Sequence, residues 1–526
     1  MTTTPDRTEK SAGPTPSASA AGRLLGPAVL GDRHGVPVIG SLIAGVGVGA
    51  EAEMAPRISP ADGRTLFEGG DTTDAPVEAA VAAARRAFDV GVWGRSTGRD
   101  RARVLAQAAR LLEERAEDLA WLLLSETGKP IREARGEVAA TVNAFEYFSG
   151  LARDINGRTL RDIGPDVFAF TLREPAGVAG IIVPFNFPLG ILGQKLPPAL
   201  AAGCAVVAKP SPLTPLTALA VANILFEAGL EPDALSVVIA EGAAGAALVG
   251  HPHTDVISFT GSTGTGRHIA AGAGRNRLKR VAIEAGGKTP VIVTENADLD
   301  VTVEGLLFSS FFNQGQVCVA GSRILAHASI ADELTRRLAA RAAQIRLGDP
   351  RLEGTEMGPL ISRQHFDGVV SAVEKATGEG ATLVTGGARV DVEGTPATPY
   401  LAPTVLFTES DTNHSVREEF FGPVTTVQPY ADLAEVTARA NAQQFGLAAS
   451  VWTRDIDEAI ELTFALDTGT VWVNGSTDAF PEIPLGGRRD SGYGAEFGRE
   501  GMEFFTENKT VQIRRGTRAA WYGGDR

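Results

Sequence analysis

The chain has 526 residues, 44 % of them apolar, and a formal net charge of −14. That length exceeds one ordinary core, so two or three domains are expected, and the acidic balance argues against non-specific binding to nucleic acid or an anionic membrane. Two cysteines, Cys204 and Cys318, exclude a small disulfide-built secreted scaffold.

Residues 1–24 are rich in Thr, Ser, Ala, Gly and Pro and lack the apolar run of a signal peptide. They read as a disordered lead-in to a cytoplasmic protein. Two uncharged stretches could be mistaken for membrane spans. Residues 35–50 are too short and Gly-rich, and residues 175–194 are interrupted by Pro175, Pro184 and Pro188, so neither is a convincing span. From 74 to 151 the pattern is helical, with Leu105, Ala108, Leu112, Ala116 and Leu119 three or four apart on one face. Residues 155–173 look extended and turn at Gly164–Pro165, either an assembly arm or an ordinary surface hairpin. From 177 to 283 apolar strands alternate with helices, and a second such stretch runs from about 289 to 478. This rhythm predicts an α/β fold with largely parallel sheets covered on both faces. The segment FFTENKTVQIRR ends in a predicted strand.

Four places carry candidate chemistry. VISFT runs into GSTGTG and then a helix, which offers free backbone N–H groups to an anion. Gly261, Gly264 and Gly266 permit close approach there, and Ser262, Thr263 and Thr265 add hydroxyls; a plain tight turn is the alternative. Glu284 ends a strand just before Gly286 and Gly287 and faces either a crevice or solvent. Cys318 lies among polar and small residues, where a nearby basic group or helix start would make it a nucleophile. Cys204, in an apolar run, reads as inert packing. Asn186 is held between aromatics and prolines in PFNFP, as a rigid oxyanion donor or a turn cap.

The ordered motifs PFNFP, KPSP, FTGSTGTG, IEAGGKTP, NQGQVCVAGSR, EEFFGPV and PLGGRRDSGYGAEFG closely resemble the aldehyde dehydrogenase superfamily over roughly residues 55 to 515. The resemblance implies a doubly wound NAD(P)-binding domain (25–153 and 176–286), a catalytic domain (287–490) and a β arm for oligomerisation (154–175 and 505–515). It makes Cys318 the nucleophile, Asn186 the oxyanion donor with the Cys318 backbone N–H, Glu284 the base for the hydrolytic water and Lys195 a helper in proton movement. Its cofactor residues fall on Ile182, Pro184, Phe185, Lys209, Pro212, Gly242, Gly245, Phe259, Gly261, Ser262, Thr265, Gly266, Glu419 and Phe421. Phe187, Ile191, Gln194, Val317, Val319 and Leu485 are implied to line the substrate tunnel. No metal is required. A homodimer or homotetramer is expected, with a small-molecule aldehyde as substrate.

Three departures matter. Pro212 stands where the NAD-preferring pattern has Glu, so NADP should be at least tolerated beside NAD. PFNFP replaces PWNFP, and PLGG replaces PFGG. The mostly neutral lining suits a neutral aliphatic or aromatic aldehyde, and fewer aromatics with a polar Gln194 point to a wide tunnel. A CoA-acylating dehydrogenase is the first alternative, disfavoured because such relatives lack a base at the Glu284 position. A non-catalytic structural protein on the same scaffold is the second, disfavoured by the intact Cys318, Glu284 and Asn186.

Overall fold

The computed structural model describes residues 18–161, 163–395, 399–517 and 521–522. The alternation expected over 177–283 folds into an eight-stranded sheet. Its five central strands are parallel, in the spatial order Arg280–Glu284, Val256–Thr260, Val178–Ile182, Ala205–Lys209, Leu235–Val237. Every residue of Val256–Thr260, Ala205–Lys209 and Leu235–Val237 is buried, as strands with helices on both faces require. Chain order reverses between Val178–Ile182 and Val256–Thr260. The crevice past their carboxyl ends is therefore a topological switch point, where open α/β sheets bind ligands.

A second sheet has seven strands, in the order Thr382–Thr385, Thr404–Phe407, Val424–Tyr430, Arg323–His327, Pro290–Val293, Ala448–Trp452, Thr470–Val473. All neighbouring pairs are parallel except the antiparallel edge strand Thr382–Thr385. Gly492–Tyr493 crosses back to pair antiparallel with Arg280–Glu284, which ties the late chain to the first sheet beside Glu284. A third sheet joins the hairpin Thr159–Leu160 and Val167–Pro175 to Thr506–Arg514. Ala169 packs inward, while Phe168, Leu172 and Ile513 stay more than 40 % exposed on the opposite face.

Several expectations change. Residues 1–17 of the expected tail lie outside the described residues, but Ala18–Leu25 is a helix. Leu24 and Leu25 are buried, and Asn223 Nδ2 donates to the Leu24 carbonyl at 3.0 Å, so tertiary packing outweighs the polar composition around them. The helical stretch 74–151 is four helices. The face through Leu105, Ala108, Leu112 and Leu119 is buried, but it breaks at Arg115, between Gly98–Glu114 and Ala116–Thr127. Residues 35–50 contribute the strands Val36–Ile39, Ser41–Ile43 and Val46–Val48. No helix among the described residues is long and apolar enough to cross a membrane.

Candidate active site

Cys318 lies on the connection from the helix Leu299–Phe311 to the strand Arg323–His327. Three successive residues before it, Asn313, Gln314 and Gly315, have positive φ. For the two non-glycines this costs about 1–3 kcal/mol each and persists only where surroundings impose it. Asn313 Nδ2 donates to the carbonyls of Asn186 and Gln316 at 3.0 and 3.2 Å, and Gln316 Oε1 accepts from Ile361 N at 3.1 Å. The loop is thereby fixed against the PFNFP turn of the first sheet.

Asn186 is buried, and its Nδ2 donates to the Gln316 carbonyl at 2.9 Å. One amide hydrogen is thus committed two residues before Cys318, and the second remains for an oxyanion. The clamp behind Asn186 was not read from sequence. Lys129, fully buried, donates from Nζ to the Asn186 carbonyl at 3.0 Å and forms an ion pair with Glu137. The other Glu137 oxygen accepts from the backbone N–H groups of Leu189 and Gly190 at 3.0 and 2.9 Å, at the start of the helix that follows Asn186. The usable clue was a lysine set between Gly128 and Pro130 immediately before a helix, with Glu137 two turns further on.

Glu284 ends its strand, is 5 % exposed and accepts from Gly487 N at 3.3 Å, while its Oε2 is buried without a partner. Burial first, and the charge of Glu496 second, hold its carboxyl well above the ordinary range, with Lys195 opposing. A carboxyl so placed binds a proton more strongly than an ordinary one. Lys195 is buried against Ser258 Oγ at 2.9 Å and paired with Glu496, so it reaches Glu284 through charge alone.

The Cys318 sulfur sits in a buried setting whose leading charges are negative. Burial, then Glu419 and Glu284, push its thiol up to about 12, and the backbone N–H groups of Val319 and Cys318 itself act the other way. A basic neighbour, one of the two sources of activation that the sequence left open, is not among these influences. Gly287 brings the two loops together, since a Cβ there would sit 2.3 Å from the Cys318 carbonyl oxygen.

One cavity of about 890 Å³ is lined by Cys318, Glu284 and Thr260, while Asn186 is not among its lining residues. All six expected tunnel residues, Phe187, Ile191, Gln194, Val317, Val319 and Leu485, line it. Phe187 stacks on Phe312 with centroids 5.8 Å apart, and Phe308 continues the row at 4.9 Å from Phe312. The lining is more charged than expected, for Arg341 and Arg346 are present, paired with Glu304 and Glu356 at 2.7 and 2.9 Å.

The cofactor residues divide into groups. Ile182 ends the strand preceding Pro184 and Phe185; the Phe185 ring meets Phe421 and His365 edge-on at 5.8 and 6.0 Å. His365, which sequence did not single out, bonds the Phe421 carbonyl at 2.7 Å. Glu419 accepts from Gly287 N at 3.1 Å. Ser262 caps the helix Thr263–Ala273, accepting from Thr265 N at 3.3 Å; Phe259 is buried beneath Gly261, where a Cβ would fall 2.5 Å from its ring, and Gly266 packs on Ile283. Gly242 and Gly245 lie inside the helix Gly242–Gly250 and not in an open glycine turn, because 241–250 runs straight from the cap into helix. A Cβ at Gly242 or Gly264 would meet nothing within 4 Å. The open ground at these two helix starts, beside buried Lys209, fits the phosphates and ribose of a dinucleotide.

The family model described as "Aldehyde dehydrogenase family" matches residues 48–511. The chain belongs to the aldehyde dehydrogenase family. Rat aldehyde dehydrogenase 1A1 is 40 % identical over 464 residues, covering 87 % of this chain and 91 % of that protein. The mitochondrial benzaldehyde dehydrogenase of Antirrhinum majus is 39 % identical over 464 residues, covering 88 % and 86 %. Among solved structures, the betaine aldehyde dehydrogenase of Staphylococcus aureus in complex with NAD+ is 35 % identical with a TM-score of 0.89, covering 92 % of this chain and 97 % of that one. The NAD-dependent aldehyde dehydrogenase of Sinorhizobium meliloti is 38 % identical, also with a TM-score of 0.89, over 92 % and 96 %. This aldehyde dehydrogenase is an NAD(P)-dependent oxidoreductase of α/β fold.

Proposed function

We propose that this aldehyde dehydrogenase oxidises a bulky neutral aldehyde, aromatic or aliphatic, to its carboxylic acid through a thioester on Cys318. The opening of Cys318 and Glu284 into one cavity is the observation that carries the reading. The Cys318 thiol releases its proton to solvent as sulfur bonds to the carbonyl carbon. The new oxyanion takes hydrogen bonds from the free Asn186 amide hydrogen and a backbone N–H, each good donor being worth about 3–4 kcal/mol. NAD(P)+ supplies the acceptor for the hydride that leaves the former aldehyde carbon, and a thioester remains. Glu284 then removes a proton from water, which adds to the thioester; the C–S bond breaks and the sulfur recovers a proton.

The substrate class rests on the Phe187–Phe312–Phe308 row, which offers flat apolar surface, and on the pairing of Arg341 and Arg346 with carboxylates; Arg132, also in the lining, donates to the Glu356 carbonyl at 3.2 Å. Leu485 and Gln194 leave width for a large or partly polar group. Pro212 carries no charge to repel a 2′-phosphate, so NADP is accepted beside NAD; a preference for NAD of about a thousandfold in kcat/KM would contradict this. The enzyme works as a homodimer or homotetramer through its arm. Two unpaired cysteines suit a cytoplasmic location.

Following absorbance at 340 nm over aldehydes of graded length and charge, with and without CoA, tests the reading. Neutral bulky aldehydes should give carboxylate and reduced cofactor in equal amounts, independent of CoA. Acyl-CoA as product, succinate semialdehyde as best substrate, or no turnover over the whole panel would overturn it.

A further inference from the structure

Pro212 removes a carboxylate from the ribose end of the cofactor site, and the structure offers a replacement on the neighbouring loop. Pro212 and Leu213 follow the strand Ala205–Lys209 and line a cavity of about 490 Å³. Glu241 lines the same cavity. It follows the adjacent parallel strand Leu235–Val237, so both residues stand past the carboxyl ends of neighbouring strands. The Glu241 backbone N–H is anchored on the Asp71 carbonyl at 2.9 Å. Its side chain is exposed and makes no capping bond to the helix Gly242–Gly250, leaving the carboxylate available.

Lys209 ends the strand that precedes Pro212. A Cβ on Gly245 would lie 3.6 and 3.7 Å from Lys209 Cδ and Cε, so the lysine stem runs along the helix that Glu241 begins. Burial pulls the Lys209 ammonium down to about 8, and Glu241 is the charge that opposes this. The Glu241 carboxylate thus borders the cavity beside Pro212, with Lys209 within reach of its charge.

We propose that Glu241 reads the adenosine ribose in place of the missing carboxylate at Pro212, accepting from the ribose hydroxyls of NAD and repelling the 2′-phosphate of NADP. NAD is then the preferred cofactor, with NADP tolerated because an exposed carboxylate is partly screened and can turn aside. Two arginines share the cavity. Arg57 is committed to the carbonyls of Leu213 and Glu126 at 2.7 and 3.1 Å. Arg363 is exposed, over the Phe366 ring at 5.7 Å, and is the group that would attract a 2′-phosphate if the preference ran the other way. The inference rests on dinucleotide binding at this switch point.

Calorimetric titration of the intact enzyme with NAD and with NADP, no aldehyde present, decides it. The wild type should bind NAD about tenfold more tightly than NADP. Glu241→Gln keeps an acceptor but loses the charge: NAD affinity should hold within about twofold while NADP tightens about tenfold. Glu241→Ala loses the acceptor too, and NAD should weaken about fivefold. Arg363→Ala should leave the ratio unchanged. An unchanged ratio in Glu241→Gln, tighter NADP than NAD in the wild type, or a ratio that swings with Arg363→Ala would each overturn the assignment. Failure of the wild type to bind either dinucleotide would instead refute the cofactor site itself, and the assignment with it.

Discussion

Lys129→Met should separate folding from catalysis in a measurable way. The ammonium makes three contacts: an ion pair with Glu137, a 3.0 Å bond to the Asn186 carbonyl, and a place 4.3 Å from the centroid of the Phe187 ring. Losing the first strands a buried carboxylate, which costs about 3–5 kcal/mol of stability. The second is a hydrogen bond from a charged donor, worth about 1.5–3 kcal/mol. Asn313 Nδ2 holds the same carbonyl at 3.0 Å, so only part of that value should appear as misplacement of the Asn186 amide. About 1.4 kcal/mol in the transition state, a tenfold fall in kcat, is the expected size. The double variant Lys129→Met/Glu137→Gln keeps an acceptor for the N–H groups of Leu189 and Gly190 and removes the stranded charge. It should recover most of the lost melting temperature and keep the tenfold deficit in kcat, with KM little changed. A double variant as active as the wild type would mean that Lys129 serves the fold alone. Loss of kcat that tracks melting temperature across both variants would refute the reasoning equally.

Glu284→Gln should release reduced cofactor in a burst and then stall; steady turnover at the wild-type rate would count against its role as base. The same substitution should affect stability. The folded Glu284 carboxyl titrates above its unfolded value, so what it contributes is present below the ordinary carboxylate range and is lost as pH rises through the raised value. The variant should therefore outlast the wild type in thermal denaturation above that range, with the gap closing in acid; a gap that widens in acid would contradict the sign. Because the Cys318 thiol is pushed up to about 12, the burst rate should climb with pH across the neutral range, and a flat profile would mean that the thiolate forms without help. Leu485→Phe should raise KM for a bulky aldehyde by about tenfold and spare a small one; equal effects on both would move Leu485 out of the tunnel. Light scattering should find an oligomer, and Phe168→Glu with Ile513→Lys on the exposed arm face should shift it to monomer; a monomeric wild type would refute the arm's role.

The parallel architecture was legible because runs such as VISFT and CAVVAK are apolar throughout, the pattern of strands buried on both faces. Motif order singled out Cys318, Glu284 and Asn186; Cys318 and Glu284 line one cavity, and Asn186, outside its lining, is bonded to the Gln316 carbonyl two residues before Cys318. What escaped sequence reading depends on contacts distant along the chain. Lys129 and Glu137 look like any ionisable pair near a helix start until Asn186 arrives beside them. His365 has no local pattern and gains meaning only from the Phe421 carbonyl it bonds. Sequence left the setting of Cys318 open because composition cannot tell whether a thiol's nearest charges are positive or negative, and here they are Glu419 and Glu284. The helix Ala18–Leu25 was hidden because two leucines in a polar stretch reveal nothing of the groove that receives them.

The most direct test of the thioester account is intact and peptide mass spectrometry of Glu284→Gln after mixing with NAD+ and a neutral aldehyde. The account predicts an acyl group, of the mass of the aldehyde less one hydrogen atom replacing the thiol hydrogen, on the peptide that contains Cys318. An unmodified Cys318 alongside reduced cofactor, or the acyl group on Cys204 instead, would contradict it.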